Sequence, residues 1–139
     1  MDKKKILIME DDADTAMGLS VRLEAGGYAT VTAADSKSGI NLALRETPDL
    51  ILLDLGLLDD NGFVMMKKMA NIKPLSSIPV IVVTGRSPEV YKEPVLIAGA
   101  TAYLQKPIEN DELLAVIQKT LSNLPGSKKE NDYGLGSGE

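Results

Sequence analysis

Short apolar runs recur along the chain, and between them lie stretches in which apolar residues return every three or four positions. A run bounded by turn residues is typical of a strand, whereas the wider spacing is typical of a helix with one buried face. The pattern predicts five strands: Lys5–Met9, Tyr28–Ala33, Leu50–Leu53, Ile78–Val83 and Ala102–Gln105.

Four of the intervening stretches predict amphipathic helices, and three of them have a residue suited to cap the first turn. Asp12 or Asp14 caps the first, Asp35 or Ser36 the second, and Asn110 or Asp111 the last. The predicted spans and inward faces are Thr15–Ala25 (Ala16, Leu19, Leu23), Lys37–Arg45 (Ile40, Ala43, Leu44), Phe63–Asn71 (Phe63, Met66, Ala70) and a last helix with Leu113, Val116, Ile117, Thr120 and Leu121 inward.

The stretch after the fourth strand gives a weaker helix signal. Ser87-Pro88 has the form of an N-cap followed by proline in the first turn. Pro94 lies seven residues past Ser87, and a proline there removes a backbone hydrogen bond and disfavours helix at Glu93. We expect a broken helix here, or one that begins near Pro94 and runs to Ala98.

Strands that alternate with helices predict an α/β fold: an open parallel sheet with right-handed crossovers and helices on both faces. We expect the doubly wound, flavodoxin-like strand order 2-1-3-4-5, with its switch point between the first and third strands. Residues 1–123 would form this domain, and residues 124–139, rich in glycine, serine and charge, would be a flexible tail.

Composition removes several classes of function. The 139 residues include no cysteine and no histidine, which excludes disulfides, thiolate nucleophiles, histidine-ligated zinc and serine–histidine hydrolysis. The net charge of −5 argues against a nucleic-acid surface. No apolar run is long enough to span a membrane, and the one after Lys5 is too short for an export signal. We expect a cytoplasmic protein.

Charged and polar residues follow directly where the predicted strands end. Glu10 and Asp11 follow the first strand, Asp54 the third, Thr84 the fourth and Lys106 the fifth. Because the carboxyl ends of parallel strands share one edge of a sheet, these side chains should meet there. Each residue alone has an ordinary explanation as a helix cap or turn residue, so the prediction rests on their shared placement.

Converging carboxylates repel one another, and a hard divalent cation relieves that repulsion. We expect Mg²⁺ to be ligated by Asp11, Asp54 and the Gly56 carbonyl, with Glu10 holding a coordinated water. Asp54 would then attack phosphorus in line and form an acyl phosphate. Lys106 and the cation would neutralise the phosphoryl oxygens, and the Thr84 hydroxyl would donate to one of them.

These residues resemble the phosphorylation site of the receiver domain of two-component response regulators (CheY-like domains), and the resemblance covers about residues 4–123. It also includes Tyr103 within the fifth strand, Gly62 in the loop after Asp54, and Lys106-Pro107. The resemblance implies that Asp54 accepts phosphate from a sensor histidine kinase, that Glu10 and Asp11 serve magnesium, and that Lys106 contacts the phosphate. It further implies that Thr84 and Tyr103 change rotamer on phosphorylation, and that Lys106-Pro107 is cis.

Three positions depart from the family pattern. Leu58 replaces a frequent proline, so the loop after Asp54 would be looser, and Gly85 replaces a small alanine after the switch threonine. Pro94 interrupts the fourth helix, which forms part of the output face in the family. None of the three removes a residue of the phosphorylation site.

The leading hypothesis is a receiver that catalyses only its own magnesium-dependent phosphorylation and dephosphorylation. Its partners would be a histidine kinase or phosphotransfer protein and a downstream protein target, with no nucleic acid or membrane. Gly56 leaves the acyl phosphate open and Arg86 lies near in sequence, so we expect hydrolysis within minutes to hours.

Other interpretations stay open. The chain could be a phosphate-independent module with the same fold, or a receiver piece of a larger regulator. A haloacid-dehalogenase-type phosphatase would need a second aspartate where Gly56 stands. A nucleotide-binding flavodoxin-like domain would need a glycine-rich loop after the first strand.

Overall fold

The computed structural model describes residues 3–57 and 61–123. Strands and helices alternate through both segments, as the sequence predicts. The elements in chain order are β1 Lys5–Met9, α1 Ala13–Ala25, β2 Ala29–Ala33, α2 Ser36–Glu46, β3 Leu50–Leu53, α3 Gly62–Ala70, β4 Val80–Thr84, α4 Pro88–Ile97, β5 Ala102–Gln105 and α5 Asn110–Ser122.

The strands form one parallel sheet in the order β2-β1-β3-β4-β5, which confirms the predicted topology. In its register Met9 lies opposite Leu53, and Thr84 lies opposite Gln105. β1 and β3 therefore end at the same level, and so do β4 and β5. The residues that follow these strands share one rim of the sheet.

Alternate side chains of the strands feed two separate cores. Leu7 and Ile51 point to one face, where they pack with Met65 and Val95 from α3 and α4. Ile6 and Leu52 point to the other face, which α1 and α5 cover. Both faces of the central strands are buried, which explains why β3 is apolar at every position.

The helices begin close to where the sequence predicts. The side chains of Asp12, Asp35 and Asn61 accept hydrogen bonds from backbone amides in the first turns of α1, α2 and α3. The prediction for α5 is wrong by one residue, because Glu109 is the N-cap and its side chain makes no capping hydrogen bond.

The expectation of a broken fourth helix is wrong. α4 is continuous from Pro88 to Ile97 and includes Pro94. The Ala98 amide donates to the Pro94 carbonyl at 3.0 Å, so the helix continues past the proline. Proline removes one bond, to the carbonyl of Val90, and Val90 lies on the exposed side where water can replace that bond. Val95, which is fully buried, anchors the same turn to the core.

Two predicted inward positions are also wrong. Leu44 is 42% exposed, because α2 buries the face formed by Ser36, Gly39 and Ala43 and Leu44 lies to its side. Ala70 is exposed, since the buried face of α3 is centred on Met65, Met66 and Met69 and Ala70 lies beside it.

Some expectations fall outside the described residues. They are the loosened loop at Leu58 and the flexible tail at residues 124–139. Among the helices that are described, none is both long and apolar enough to cross a membrane.

Candidate functional site

The ends of β1 and β3 bring the predicted carboxylates together. The Asp54 amide donates to the Met9 carbonyl at 2.9 Å, which continues the strand pairing to the rim. Glu10, Asp11 and Asp54 each offer a carboxylate oxygen, and these oxygens lie within 4.8 Å of one another. Glu10 is buried, Asp54 is half-buried and Asp11 is exposed, so the cluster opens to solvent on one side.

Lys106 completes the cluster from the end of β5. Its Nζ donates to Asp54 Oδ2 at 2.8 Å and to Glu10 Oε1 at 2.5 Å. The Lys106 amide donates to the Thr84 carbonyl at 2.8 Å, so the end of β4 fixes the base of this side chain. The Lys106-Pro107 peptide bond is cis, as the resemblance implies. Three carboxylates facing one ammonium leave an excess of negative charge.

This electrostatic setting shifts the pKa values of Glu10, Asp54 and Lys106. Burial raises the pKa of Glu10 to about 7, and it outweighs the opposing hydrogen bonds from Lys106 and the Asp12 amide. Burial also acts to raise the pKa of Asp54, but hydrogen bonds from Lys106, the Gly56 amide and Thr84 together lower it. Burial acts to lower the pKa of Lys106, and the two carboxylates raise it instead. Asp54 is therefore held as a carboxylate.

The loop after Asp54 is shaped by two glycines. The Gly56 amide donates to Asp54 Oδ1 at 3.2 Å and so orients the carboxylate. Gly62 begins α3 directly against the backbone of Asp54: a β-carbon there would lie 2.5 Å from the Asp54 carbonyl oxygen and 2.9 Å from Leu55 Cα. Only glycine permits this approach without displacing backbone.

Thr84 and Tyr103 lie on the β4–β5 side of the rim. The buried Thr84 hydroxyl contributes to the lowered pKa of Asp54 and accepts a long hydrogen bond, 3.4 Å, from the Arg86 amide. The buried Tyr103 ring points its hydroxyl at the Arg86 carbonyl and donates to it at 2.7 Å. The segment after β4 is thus tied to both residues.

Sequence reasoning missed two contacts around this rim. The Arg22 guanidinium on α1 donates to the Ile108 carbonyl at 2.9 Å and to Asn110 Oδ1 at 3.1 Å, which ties α1 to the segment after Lys106. The Arg86 guanidinium lies over the ring of Tyr91, 5.4 Å from its centroid. The spacing of these residues in the sequence does not predict either contact. Arg86 could still have been noted, because it lies only two positions after Thr84.

Comparison with known proteins decides the family. The model of the response regulator receiver domain matches residues 6–118 of this chain. The chain belongs to the response regulator receiver family. Receiver domains act in phosphorylation-based signalling with histidine kinases and downstream effectors, and they are not enzymes in the usual sense.

Curated relatives of this receiver domain differ in length. PilH of Pseudomonas aeruginosa is 33% identical over 118 residues, which cover 85% of this chain and 98% of PilH. The response regulator ArlR of Staphylococcus saprophyticus is 37% identical over 121 residues, which cover 87% of this chain and 54% of ArlR. The receiver domain thus spans nearly all of one relative and about half of the other.

Solved structures share its architecture. A CheY-like receiver domain protein from Methanospirillum hungatei superposes with a TM-score of 0.79 at 31% identity, covering 87% of this chain and 95% of that one. The receiver domain of a sensor histidine kinase from Pseudomonas aeruginosa gives a TM-score of 0.81 at 25% identity, covering 88% and 100%. The latter is described with a magnesium ion coordinated in its active site cleft.

The donor set of the present receiver domain suits the same kind of ion. Glu10, Asp11 and Asp54 offer only oxygen, and Mg²⁺ prefers a few carboxylates together with water. The ammonium of Lys106 offsets only part of the negative charge of this cluster, and a divalent cation would offset the rest.

Proposed function

We propose that this receiver domain accepts a phosphoryl group on Asp54 in a magnesium-dependent reaction and thereby switches its binding to a downstream protein. The donor would be the phosphohistidine of a sensor histidine kinase or of a phosphotransfer protein. The observation that carries the proposal is the convergence of Asp54 with Glu10, Asp11 and Lys106 at one rim of the sheet.

The proposed step is an in-line displacement at phosphorus. A carboxylate oxygen of Asp54 forms the new P–O bond as the P–N bond to the donor imidazole breaks. The electron pair of that bond stays on the imidazole nitrogen, and the product is an acyl phosphate. The lowered pKa of Asp54 supports this role because the nucleophile must be ionised.

Neighbouring groups would stabilise the charge that develops on the transferred group. Lys106 donates to Asp54 in the resting site and would turn one of its N–H bonds toward a phosphoryl oxygen. The Thr84 hydroxyl would donate to another oxygen. Glu10, Asp11 and Asp54, with the Gly56 carbonyl, would hold magnesium, which supplies charge neutralisation when it is bound.

The switch would follow from a change of partner for Thr84. Its hydroxyl now accepts from the Arg86 amide, and donating to a phosphoryl oxygen would draw Thr84 toward Asp54. The Arg86 carbonyl, which Tyr103 holds, would move with that segment and release the ring. We expect Thr84 and Tyr103 to change rotamer together.

The same proposal defines the catalysis and the cellular location that we expect of the receiver domain. Its only catalysis would be the phosphorylation and dephosphorylation of Asp54 itself. A kinase that draws its phosphoryl group from ATP works where ATP is held, so we propose that the receiver domain acts in the cytoplasm.

Labelling by a small phosphodonor tests the proposal. The chain is incubated with acetyl phosphate and magnesium, and the bound phosphoryl group is measured by intact mass. We expect labelling that is lost on chelation of magnesium and lost in Asp54→Asn. The control Asp14→Asn, which changes an exposed carboxylate in the first turn of α1, should label normally. Stable labelling of Asp54→Asn would overturn the assignment of the acceptor.

A further inference from the structure

A cavity separates α1 from the segment that contains Lys106. Where α1 ends, it approaches α5 closely, since a β-carbon built on Gly26 would lie 3.0 Å from Leu114 Cδ2. Nearer the functional rim the two elements part, and a cavity of about 520 Å³ lies between them. It is lined by Arg22 on the side of α1 and by Lys106 on the other side. Lys106 therefore borders open space on the side that faces α1.

Arg22 reaches from α1 to the far side of this cavity. Its guanidinium donates to the Ile108 carbonyl at 2.9 Å, and its Nε donates to Asn110 Oδ1 at 3.1 Å. The planar guanidinium holds its donors in a fixed arrangement, so the two acceptors are held together. Among the residues that the structure describes, no other side chain hydrogen-bonds to residues 107–110. Arg22 is thus the side-chain anchor of this segment.

The other end of the segment is fixed by β4. The Lys106 amide donates to the Thr84 carbonyl at 2.8 Å, and Pro107, which follows, has no amide hydrogen to donate. The Ile108 side chain packs against the core beneath α1 and α5, which sets the depth of the segment. The side chain of Glu109 makes no capping bond to α5. The direction of the segment therefore depends on β4 at one end and on α1 at the other.

Lys106 needs a fixed backbone because its side chain is long. Its Nζ donates to Asp54 and to Glu10 from the end of a flexible four-carbon stem. A donor stabilises developing charge best when it is held in place before the reaction begins. A small displacement of the backbone at Lys106 would therefore lower the rate of the reaction more than it would change the resting structure.

We propose that Arg22 is a positioning residue for Lys106, which directs the ammonium toward the phosphoryl group by holding the segment that follows it. The inference rests on the proposed function, because it assigns a role in the phosphorylation of Asp54. The hydrogen bonds of Arg22 go to Ile108 and Asn110 and not to the acceptor. Its contribution is to the rate of phosphoryl transfer and not to magnesium binding, since the clustered carboxylates follow β1 and β3.

The expected effect is moderate. The hydrogen bond to Asn110 is exposed, and the packing of Ile108 remains when the guanidinium is removed. We expect Arg22→Ala to lower the maximal rate of labelling by about threefold to tenfold, which is the size of one charged hydrogen bond acting on position.

Labelling rates at several magnesium concentrations test the inference. Each variant of the full chain is incubated with acetyl phosphate, and the phosphoryl group is followed by intact mass. We expect Arg22→Ala to have a lower maximal rate with an unchanged magnesium concentration for half-maximal rate. Arg22→Lys keeps a cation that can reach one of the two acceptors, so it should recover part of the rate.

The matched control is Arg45→Ala. Arg22 and Arg45 are the basic residues in the last turns of α1 and α2, so both substitutions remove the same charge from the same place in a helix. Arg45→Ala should label at the rate of the unsubstituted chain. Urea unfolding checks that each variant is folded in the assay, and if Arg22→Ala is not, Arg22→Lys against Arg45→Lys makes the same comparison.

A double substitution tests whether Arg22 acts through Lys106. Adding Arg22→Ala to Lys106→Ala should slow labelling no further, since the two residues would act as one unit. An unchanged maximal rate in Arg22→Ala would overturn the inference and leave the acceptor assignment standing. A further loss in the double variant, or a shift in the magnesium dependence alone, would overturn the route through Lys106. Failure of the unsubstituted chain to label would overturn the proposed function itself.

Discussion

The two sides of the functional rim are held by different forces. On the β1–β3 side, Glu10 and Asp54 share the ammonium of Lys106 at hydrogen-bonding distances, and the strands beneath are fully buried. On the β4–α4 side, Arg86 is exposed and is oriented by a single aromatic contact with Tyr91.

The helices that flank the rim differ in the same way. α3 buries Met65, Met66 and Met69, whereas α4 buries only Val95 and exposes Val90 and Ile97. Local opening costs less free energy where few apolar side chains are buried. The comparison teaches that Asp54, with the carboxylates of Glu10 and Asp11, lies beside the firmly packed helix, whereas the segment after Thr84 leads into the loosely packed one.

The largest effect that we expect on stability comes from Gly62→Ala. The added β-carbon would meet the Asp54 carbonyl oxygen at 2.5 Å, so α3 must shift away from Asp54. We expect the free energy of unfolding to fall by about 1–3 kcal/mol, the range for overpacking, and labelling of Asp54 to weaken. Urea unfolding measures the first effect and acetyl phosphate labelling the second.

The matched control for this substitution is Gly18→Ala. Gly18 lies within α1, and an added β-carbon would meet nothing within 4 Å beyond its chain neighbours and the backbone of its own helix. Alanine should therefore raise the free energy of unfolding by about 0.5–1 kcal/mol. Equal effects of the two alanines would contradict the close packing of α3 against the backbone after β3.

A smaller and opposite effect is expected from Pro94→Ala on the loosely packed side. Alanine restores the amide that α4 lacks at its seventh residue, and the greater freedom of the unfolded chain offsets part of that gain. We expect a rise of about 1 kcal/mol in the free energy of unfolding, with slower hydrogen exchange in α4. A fall in the free energy of unfolding would contradict this expectation and would mean that packing of the Pro94 ring stabilises the folded chain.

The framework of the site could be predicted because its signals are local. A carboxylate directly after a buried apolar run marks a strand end, and the alternation of strands and helices predicts a parallel sheet whose strand ends share one edge. Glu10, Asp54 and Lys106 lie far apart in sequence, yet each directly follows a predicted strand. The sheet register brings them together without any further information.

The errors arise where tertiary contacts override a local rule. The rule for proline predicted a break at Pro94, but burial of the neighbouring Val95 keeps the turn in place. Leu44 is apolar and lies four residues after Ile40, a spacing that predicts an inward position, yet it lies beside the buried face of α2. The contact of Arg86 with Tyr91 depends on side-chain direction in the folded chain, which no spacing in the sequence encodes.

The location of the phosphoryl group tests the central claim most directly. After labelling with acetyl phosphate and magnesium, borohydride reduces an aspartyl phosphate to homoserine, and peptide mass mapping identifies the residue that was converted. The account predicts conversion at Asp54 and at no other carboxylate, with none when magnesium is chelated. Conversion at Glu10, Asp11 or any other acidic residue in place of Asp54 would contradict it.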